Sequence, residues 1–383
     1  MPTPAGEGNL GTPRSRGASL SDLEILDPAD PLARASATLR GWAALQIELA
    51  LAPEAAVDAL DATGDPRGAM ALLRPAARVG AAQLDRALDA LARAGAVLVP
   101  FSSPAYPWRL SQIRDPAPVL SVVGDRSALE APAVAIVGAR AATVYGLAAA
   151  RQLAGDLARA GVVIVSGLAR GIDAAAHEAA LEAGGRTVAV QACGPDRVYP
   201  RAHHRLAARI AQQGALVTEL PPGTPPRRQH FPLRNRLISG LCRGLVVVEA
   251  RERSGSLVSA QHALSQGIDV FAVPGPITAP TSVGPNRLLR DGAHPVLEAG
   301  DVLDALGLAA SRKAGSPPPA AAAPVLAPGL RAIVQALQRR PATRDELARS
   351  LGRSGASLAL ELLELELSGL VRIDRDGRLR AVR

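Results

Sequence analysis

The chain is nearly without lysine: of its 43 Lys and Arg residues only Lys313 is a lysine. Arginine carries the positive charge, and in so alanine-rich a sequence this usage fits a base-composition bias, so no single arginine is informative alone. Aromatic residues make up only 2% of the chain, with three Phe. A Phe placed among charged residues therefore calls for an explanation. The two cysteines, Cys193 and Cys242, stand far apart with no Cys-x-x-Cys spacing. That argues against a metal site or a disulfide framework and for buried thiols in a reducing compartment. No uncharged apolar run approaches the ~18 residues needed to span a bilayer. Residues 1–20 hold Glu7, Arg14 and Arg16 among Pro and Gly, without an apolar core of signal-peptide length. The expectation is a cytoplasmic protein with no membrane partner and a disordered amino-terminal tail.

What is present points to a polyanion. The 383 residues are 48% hydrophobic and carry a net charge of +8. A Pro/Ala-rich break at 313–328 implies two or three domains, and the positive balance favours nucleic acid over a neutral metabolite. Between Glu219 and Glu249 there is no carboxylate, yet Arg227, Arg228, His230, Phe231, Arg234, Asn235, Arg236 and Arg243 fall there. Guanidinium forks match phosphate oxygens two at a time, and an exposed ring stacks on a base. A solvated basic loop is the plain alternative.

Residues 30–95 are Ala/Leu-rich at helical spacing (Leu45, Leu49; Leu84, Leu88, Leu91), broken at Pro53, Gly64-Asp65-Pro66 and Pro75, which predicts a small helical bundle. Residues 97–130 read as an irregular Pro-rich connector leading into the apolar run Val119 to Val123. Short apolar runs then alternate with helical segments: Val134–Val137, Val162–Val165, Thr187–Val190, Ala215–Val217, Leu245–Val248 and Val270–Val273. That alternation predicts a doubly wound α/β fold with a parallel sheet, whose ligands sit beyond the carboxyl ends of the strands. After the break, helices over 330–337, 343–351 and 354–367 and a hairpin turning at Asp376-Gly377 describe a winged helix. Its third helix carries Glu361, Glu364 and Glu366 against a lone Arg353, so a docking or structural wing fits as well as a groove reader.

Four strand-end loops hold further candidate residues. Gly138-Ala139-Arg140, then Thr143, Tyr145 and Gly146, offers a helix start that suits a phosphate. The glycines of a dinucleotide fingerprint are missing, which disfavours a nicotinamide or flavin cofactor. Ser166-Gly167-Leu168-Ala169-Arg170-Gly171 makes a second anion-receptive turn, with Asp173 as a helix cap and His177 as a satisfied packing histidine. The stretch from Gly194 to Pro200, followed by Arg201, His203, His204 and Arg205, reads either as more of the same basic and aromatic rim or as a rigid Pro-bounded turn. Glu249, before Ser254-Gly255-Ser256, lacks a second carboxylate or nucleophile at readable spacing, so no catalytic residue is assigned. Orienting the loop arginines is an equally good role for it.

In order along the chain, Gly138-Ala139-Arg140 with Tyr145-Gly146, Ser166 to Asp173, Asp196 with Tyr199-Pro200, Phe231 to Arg236 with Ser239-Gly240-Leu241, Val248-Glu249-Ala250, Ser254 to Leu257 and Val273-Pro274-Gly275 resemble the DNA-processing A family (DprA, also called Smf) over about residues 100–306. The resemblance implies an extended Rossmann-like domain that binds single-stranded DNA without a cofactor, forms a homodimer, protects incoming strands in natural transformation and helps load the RecA recombinase. It also implies the division 1–28 tail, 29–96 SAM-like helical domain, 97–308 DNA-binding domain, 309–328 linker and 329–383 winged helix. The DNA-binding residues it implies are Gly138, Arg140, Tyr145, Ser166, Gly167, Arg170, Gly171, Arg228, Phe231, Arg234, Asn235 and Arg236, some of them holding the loop instead of touching DNA. Ala139 replaces the family's usual serine, and Arg228 stands where a lysine is common. A related nucleotide N-glycosidic hydrolase and a winged-helix transcription regulator are the competing readings; the hydrolase motif Pro-Gly-Gly-x-Gly-Thr is missing.

Overall fold

A computed structural model describes residues 37–49, 53–63, 68–69, 71, 79–308, 328–339, 341–367, 370–373 and 378–381. The expectations for the tail 1–28, the breaks at 64–66 and Pro75, the linker as far as residue 327 and the Asp376-Gly377 turn lie outside them. The chain divides into two compact units, Met1–Lys313 and Ala314–Arg383.

The first unit opens with helices α1 (Ala37–Leu49), α2 (Pro53–Thr63) and α3 (Ala81–Arg93). A nine-stranded sheet follows: β1 (Ala96–Pro100), β2 (Val119–Gly124), β3 (Ala133–Val137), β4 (Val163–Ser166), β5 (Thr187–Val190), β6 (Ala215–Thr218), β7 (Gly244–Val247), β8 (Asp269–Ala272) and β9 (His294–Pro295). The helices between them are α4 (Val144–Arg159), α5 (Ile172–Glu182), α6 (His204–Gln213), α7 (His230–Gly240), α8 (Gly255–Ser265) and α9 (Val283–Arg290), with α10 (Ala299–Ala305) after β9. Strand order is β1-β2-β6-β5-β4-β3-β7-β8-β9, parallel from β6 to β9. Every residue of β3 is buried because both faces are covered: Val134 and Ile136 enter one core, while Ala133, Ala135 and Val137 enter the other. This is the period-2 alternation of a strand between two helical layers.

The Pro-rich stretch 97–130 is more regular than its composition predicts. It contains β1 and β2, which pair antiparallel with each other, and β2 pairs antiparallel with β6. Proline is tolerated in β1 because that strand lies at the sheet edge and ends at Pro100. Leu45, Leu88 and Leu91 pack with Leu98 and Val119, so the core of the first helices runs on into these strands.

The second unit comprises α11 (Pro328–Arg339), α12 (Arg344–Leu351) and α13 (Gly355–Leu367), then β10 (Val371–Ile373) paired antiparallel with β11 (Leu379–Ala381). Thr343 and Glu346 form a reciprocal capping box at the start of α12. Ile333, Leu347, Leu358, Leu365 and Leu379 share one core. This is the helix, helix, helix, two-stranded wing expected from the sequence. Arg353 pairs with Glu361 at 2.7 Å.

Candidate nucleic-acid interface

In the sheet, β3 has β4 on one side and β7 on the other, and the strand order reverses there: β4, β5 and β6 are added on one side of β3, and the chain then crosses back from β6 to add β7, β8 and β9 on the other. A crevice opens beyond the carboxyl ends of β3 and β7, as it does at the switch point of doubly wound sheets. The cleft there has a volume of about 360 Å³. Among the residues expected at the site, Gly138, Arg140, Phe231, Arg234 and Asn235 line it, together with Asp173, Arg251, Arg253 and Ser256.

The start of α4 is already supplied with an anion. Thr143 caps the helix, accepting from the Gly146 N–H at 3.1 Å. The buried Glu249 carboxylate accepts from the Thr143 backbone N–H at 2.9 Å and from its hydroxyl at 2.5 Å, with Thr281 adding a third donor at 3.2 Å. A side chain at Gly146 would run into that carboxylate. Glu249 thus sits where the dipole and free N–H groups of a helix start favour negative charge, and its partners are threonines instead of the loop arginines. What this loop leaves for a ligand is the exposed Arg140.

The second loop is braced from within. Gly171, at φ +78°, lies so close to the Ala139 and Arg140 carbonyls that no Cβ fits. Asp173 does not cap α5; it lies in the first turn and reaches back to accept from the Gly167 and Ala169 N–H groups at 3.1 and 3.3 Å. Burial raises its pKa, with nearby Arg234 opposing the shift. Arg234 donates to the Gly167 carbonyl at 2.8 Å and to that of Val190, and burial lowers its pKa to about 10. Ser166 donates to the Ile136 carbonyl at 2.6 Å.

Deeper, His177 is wholly buried. Its Nδ1 lies 2.6 Å from the Thr187 hydroxyl, which itself donates to the Ile164 carbonyl. The Nδ1 must then carry the proton, leaving Nε2 without a partner among the described residues. Burial lowers the His177 pKa to about 3. The expectation of a satisfied packing histidine thus holds for one ring nitrogen. Both cysteines are free and buried; burial pushes the Cys193 thiol up to about 11.

Phe231, at the start of α7, is half-buried, and both of its ring contacts come from neighbouring loops. The Arg140 guanidinium lies 5.0 Å from its centroid, and the exposed Tyr199 ring meets it edge-on at 5.7 Å. Asn235 donates to the Gly255 carbonyl at 3.2 Å and ties α7 to the start of α8. Arg236 faces away from the cleft. Only 1% exposed, it grips Glu219 with two bonds of 2.7 and 2.6 Å and lies 3.0 Å from Asp115. Burial opposes its charge, but these carboxylates more than offset that and its pKa is raised.

Arg170 and Arg228 are exposed and neither is in the cleft lining; in sequence Arg170 precedes Gly171, which packs on the Arg140 backbone, and Arg228 lies three residues before Phe231. Tyr145 donates its hydroxyl to the Pro274 carbonyl at 2.8 Å and is not in the cleft lining. Arg251, Arg253 and Tyr199 are not among the DNA-binding residues that the resemblance implies, although Tyr199 belongs to the loop that reads as part of the basic and aromatic rim. The two arginines follow β7 just as Arg140 follows β3, so the strand-end rule applied to that loop would have found them. Among the described residues no group of three or more His, Cys, Asp or Glu is placed to hold a metal ion, and no helix is long and apolar enough to cross a membrane.

A doubly wound α/β unit whose switch-point crevice presents arginines and an aromatic ring, with its helix start filled by its own glutamate, defines a protein built to receive a ligand along its strand-end rim. The family model for DNA recombination-mediator protein A matches residues 97–307, and that for the DprA winged helix domain matches 317–377. The chain belongs to the DNA recombination-mediator protein A family, DprA or Smf. It is 44% identical to DNA processing protein DprA of Bacillus subtilis over 225 residues, covering 58% of this chain and 76% of that one. To protein Smf of Escherichia coli it is 48% identical over 210 residues, 55% of this chain and 56% of that one. The X-ray structure of DNA processing protein A from Streptococcus pneumoniae superposes with a TM-score of 0.56 at 38% identity, covering 63% of this chain and 82% of that one. Membership sets this chain in DNA processing and recombination.

Proposed function

We propose that the chain binds single-stranded DNA along the strand-end cleft, protects the strand and promotes loading of the RecA recombinase onto it, in the cytoplasm and as a homodimer. The observation that carries this reading is Phe231, half-exposed in an arginine-lined cleft with Arg140 over its ring. Arg140, Arg251 and Arg253 supply phosphate contacts and the rings a stacking platform, a combination that favours an unpaired strand with little sequence preference. Gly138, Gly167 and Gly171 keep the backbone low beside it. Arg170 and Arg228 extend the positive rim, while Ser166, Arg234, Asn235 and Arg236 hold the loops in place.

The protein acts as a binder and not as an enzyme: Glu249, the carboxylate that an N-glycosidic hydrolase would need, is occupied by Thr143 and Thr281. The test compares the affinity of the full chain for single-stranded and duplex DNA, with Arg140→Gln as the control. It then measures whether the recombinase displaces a single-strand coating protein faster when the chain is present. Equal affinity for both forms of DNA, or no effect of Arg140→Gln, sinks the DNA site; an unchanged displacement rate sinks the loading role.

A further inference from the structure

A second cleft, of about 550 Å³, opens on the other side of the start of α7, between α3 and the loop 221–227. Its volume is within the range of about 300–1,000 Å³ usual for ligand clefts. Consecutive residues divide the two sites: Phe231 lines the first, His230 the second. The floor is apolar, with Ala87, Leu220 and Pro221. Arg86 stands on the α3 side and Arg227 on the loop side; both are exposed and have no ion-pair partner among the described residues. His230 is 2% exposed, and its Nδ1 has no partner among the described residues. The one carboxylate in the lining, Asp196, is engaged, accepting from the Gly223 N–H at 2.8 Å and lying 3.7 Å from Arg197. An apolar floor between two exposed guanidiniums without an ion-pair partner among the described residues, with a buried ring nitrogen to spare, suits a base with its flanking phosphates.

We propose that this cleft is a second nucleotide subsite for the same DNA strand, which passes over the His230-Phe231 ridge from the strand-end cleft toward the amino-terminal helices. The inference rests on the single-strand reading of the first cleft. It makes α3 part of the DNA-binding surface and sets the minimum strand length for full affinity.

The test uses the full chain and oligothymidylates of increasing length, read by fluorescence anisotropy, with Arg86→Gln, Ala90→Glu and Arg140→Gln variants. Arg86 is exposed and its loss leaves the fold intact, while Ala90→Glu sets a negative charge into the lining. Both should weaken long oligomers several-fold and leave the shortest binding oligomer unchanged, and Arg86→Gln should lower the salt slope for long strands by about 0.7. Arg140→Gln should weaken every length. If Arg86→Gln and Ala90→Glu leave long strands unaffected while Arg140→Gln weakens them, the second subsite is wrong and the first stands. Equal losses at all lengths also overturn the second subsite. If the unsubstituted chain binds no oligomer, both readings fall.

Discussion

The acid-free stretch between Glu219 and Glu249 divides at Phe231 into two regions that both carry arginine and behave in opposite ways. Before the ring, Arg227 and Arg228 are exposed; after it, Arg234 and Arg236 are among the most deeply buried charges of the chain. The outer pair keeps its donors free for an approaching anion. The inner pair spends its donors on the Gly167 and Val190 carbonyls and on Glu219 and Asp115. One arginine-rich motif thus both builds a cleft and furnishes it, with the ring at the boundary. On the proposed reading the inner arginines serve DNA binding through the loops they fix, and the outer ones by direct contact.

The largest expected effect separates the two regions by stability. Arg236→Ala strands a buried Glu219, and breaking such a pair costs about 3–5 kcal/mol, to be read from urea denaturation. Arg228→Gln should leave the denaturation midpoint unmoved. Equal midpoints for both variants would erase the distinction.

Next comes acid. His177 sits behind the inner layer with its pKa lowered from 6.5 to about 3. Its unfolded form binds a proton first, so the stability it contributes is fully present above pH 6.5 and is lost as pH falls toward 3. Over that window the loss should be about 2–4 kcal/mol. Denaturation of His177→Gln followed against pH should show a shallower acid slope.

At the boundary itself, Phe231→Ala should weaken single-strand binding by about 1–3 kcal/mol through lost stacking, measured by anisotropy. Its stability should fall less than that of Arg236→Ala, because the ring is only half-buried. The smallest effect belongs to the outer region: Arg228→Gln should lower the salt slope of binding by about 0.7, the share of one phosphate contact on a single strand. A titration at several salt concentrations measures it, and an unchanged slope would move Arg228 off the DNA path.

Much of the fold could be read from residue order. The runs from Val134 to Val273 stand within a residue or two of β3 to β8, because strands covered on both faces must be apolar throughout. β1 was hidden by Pro100 and the proline-rich stretch after it, and β2 finds its second partner far along the chain in β6. The site was legible loop by loop, since each candidate follows a strand. The inward turn of Arg234 and Arg236 was not. Nearly all of α7 from His230 to Gly240 is buried, so it has no polar face from which exposure might be inferred. Likewise Glu249 gave no sign that it would settle on the helix start at Thr143, 106 residues earlier.

The parallel α/β core, the winged-helix segment and the positions of the anion-receptive turns follow from residue order, because apolar periodicity and glycine placement are local properties of the chain. Which guanidiniums face solvent, which carboxylate fills the helix start and that Arg140, Tyr199 and Phe231 meet were fixed only by the folded arrangement. Those outcomes depend on burial and on partners brought together by the order of the strands, which no stretch of neighbouring residues encodes.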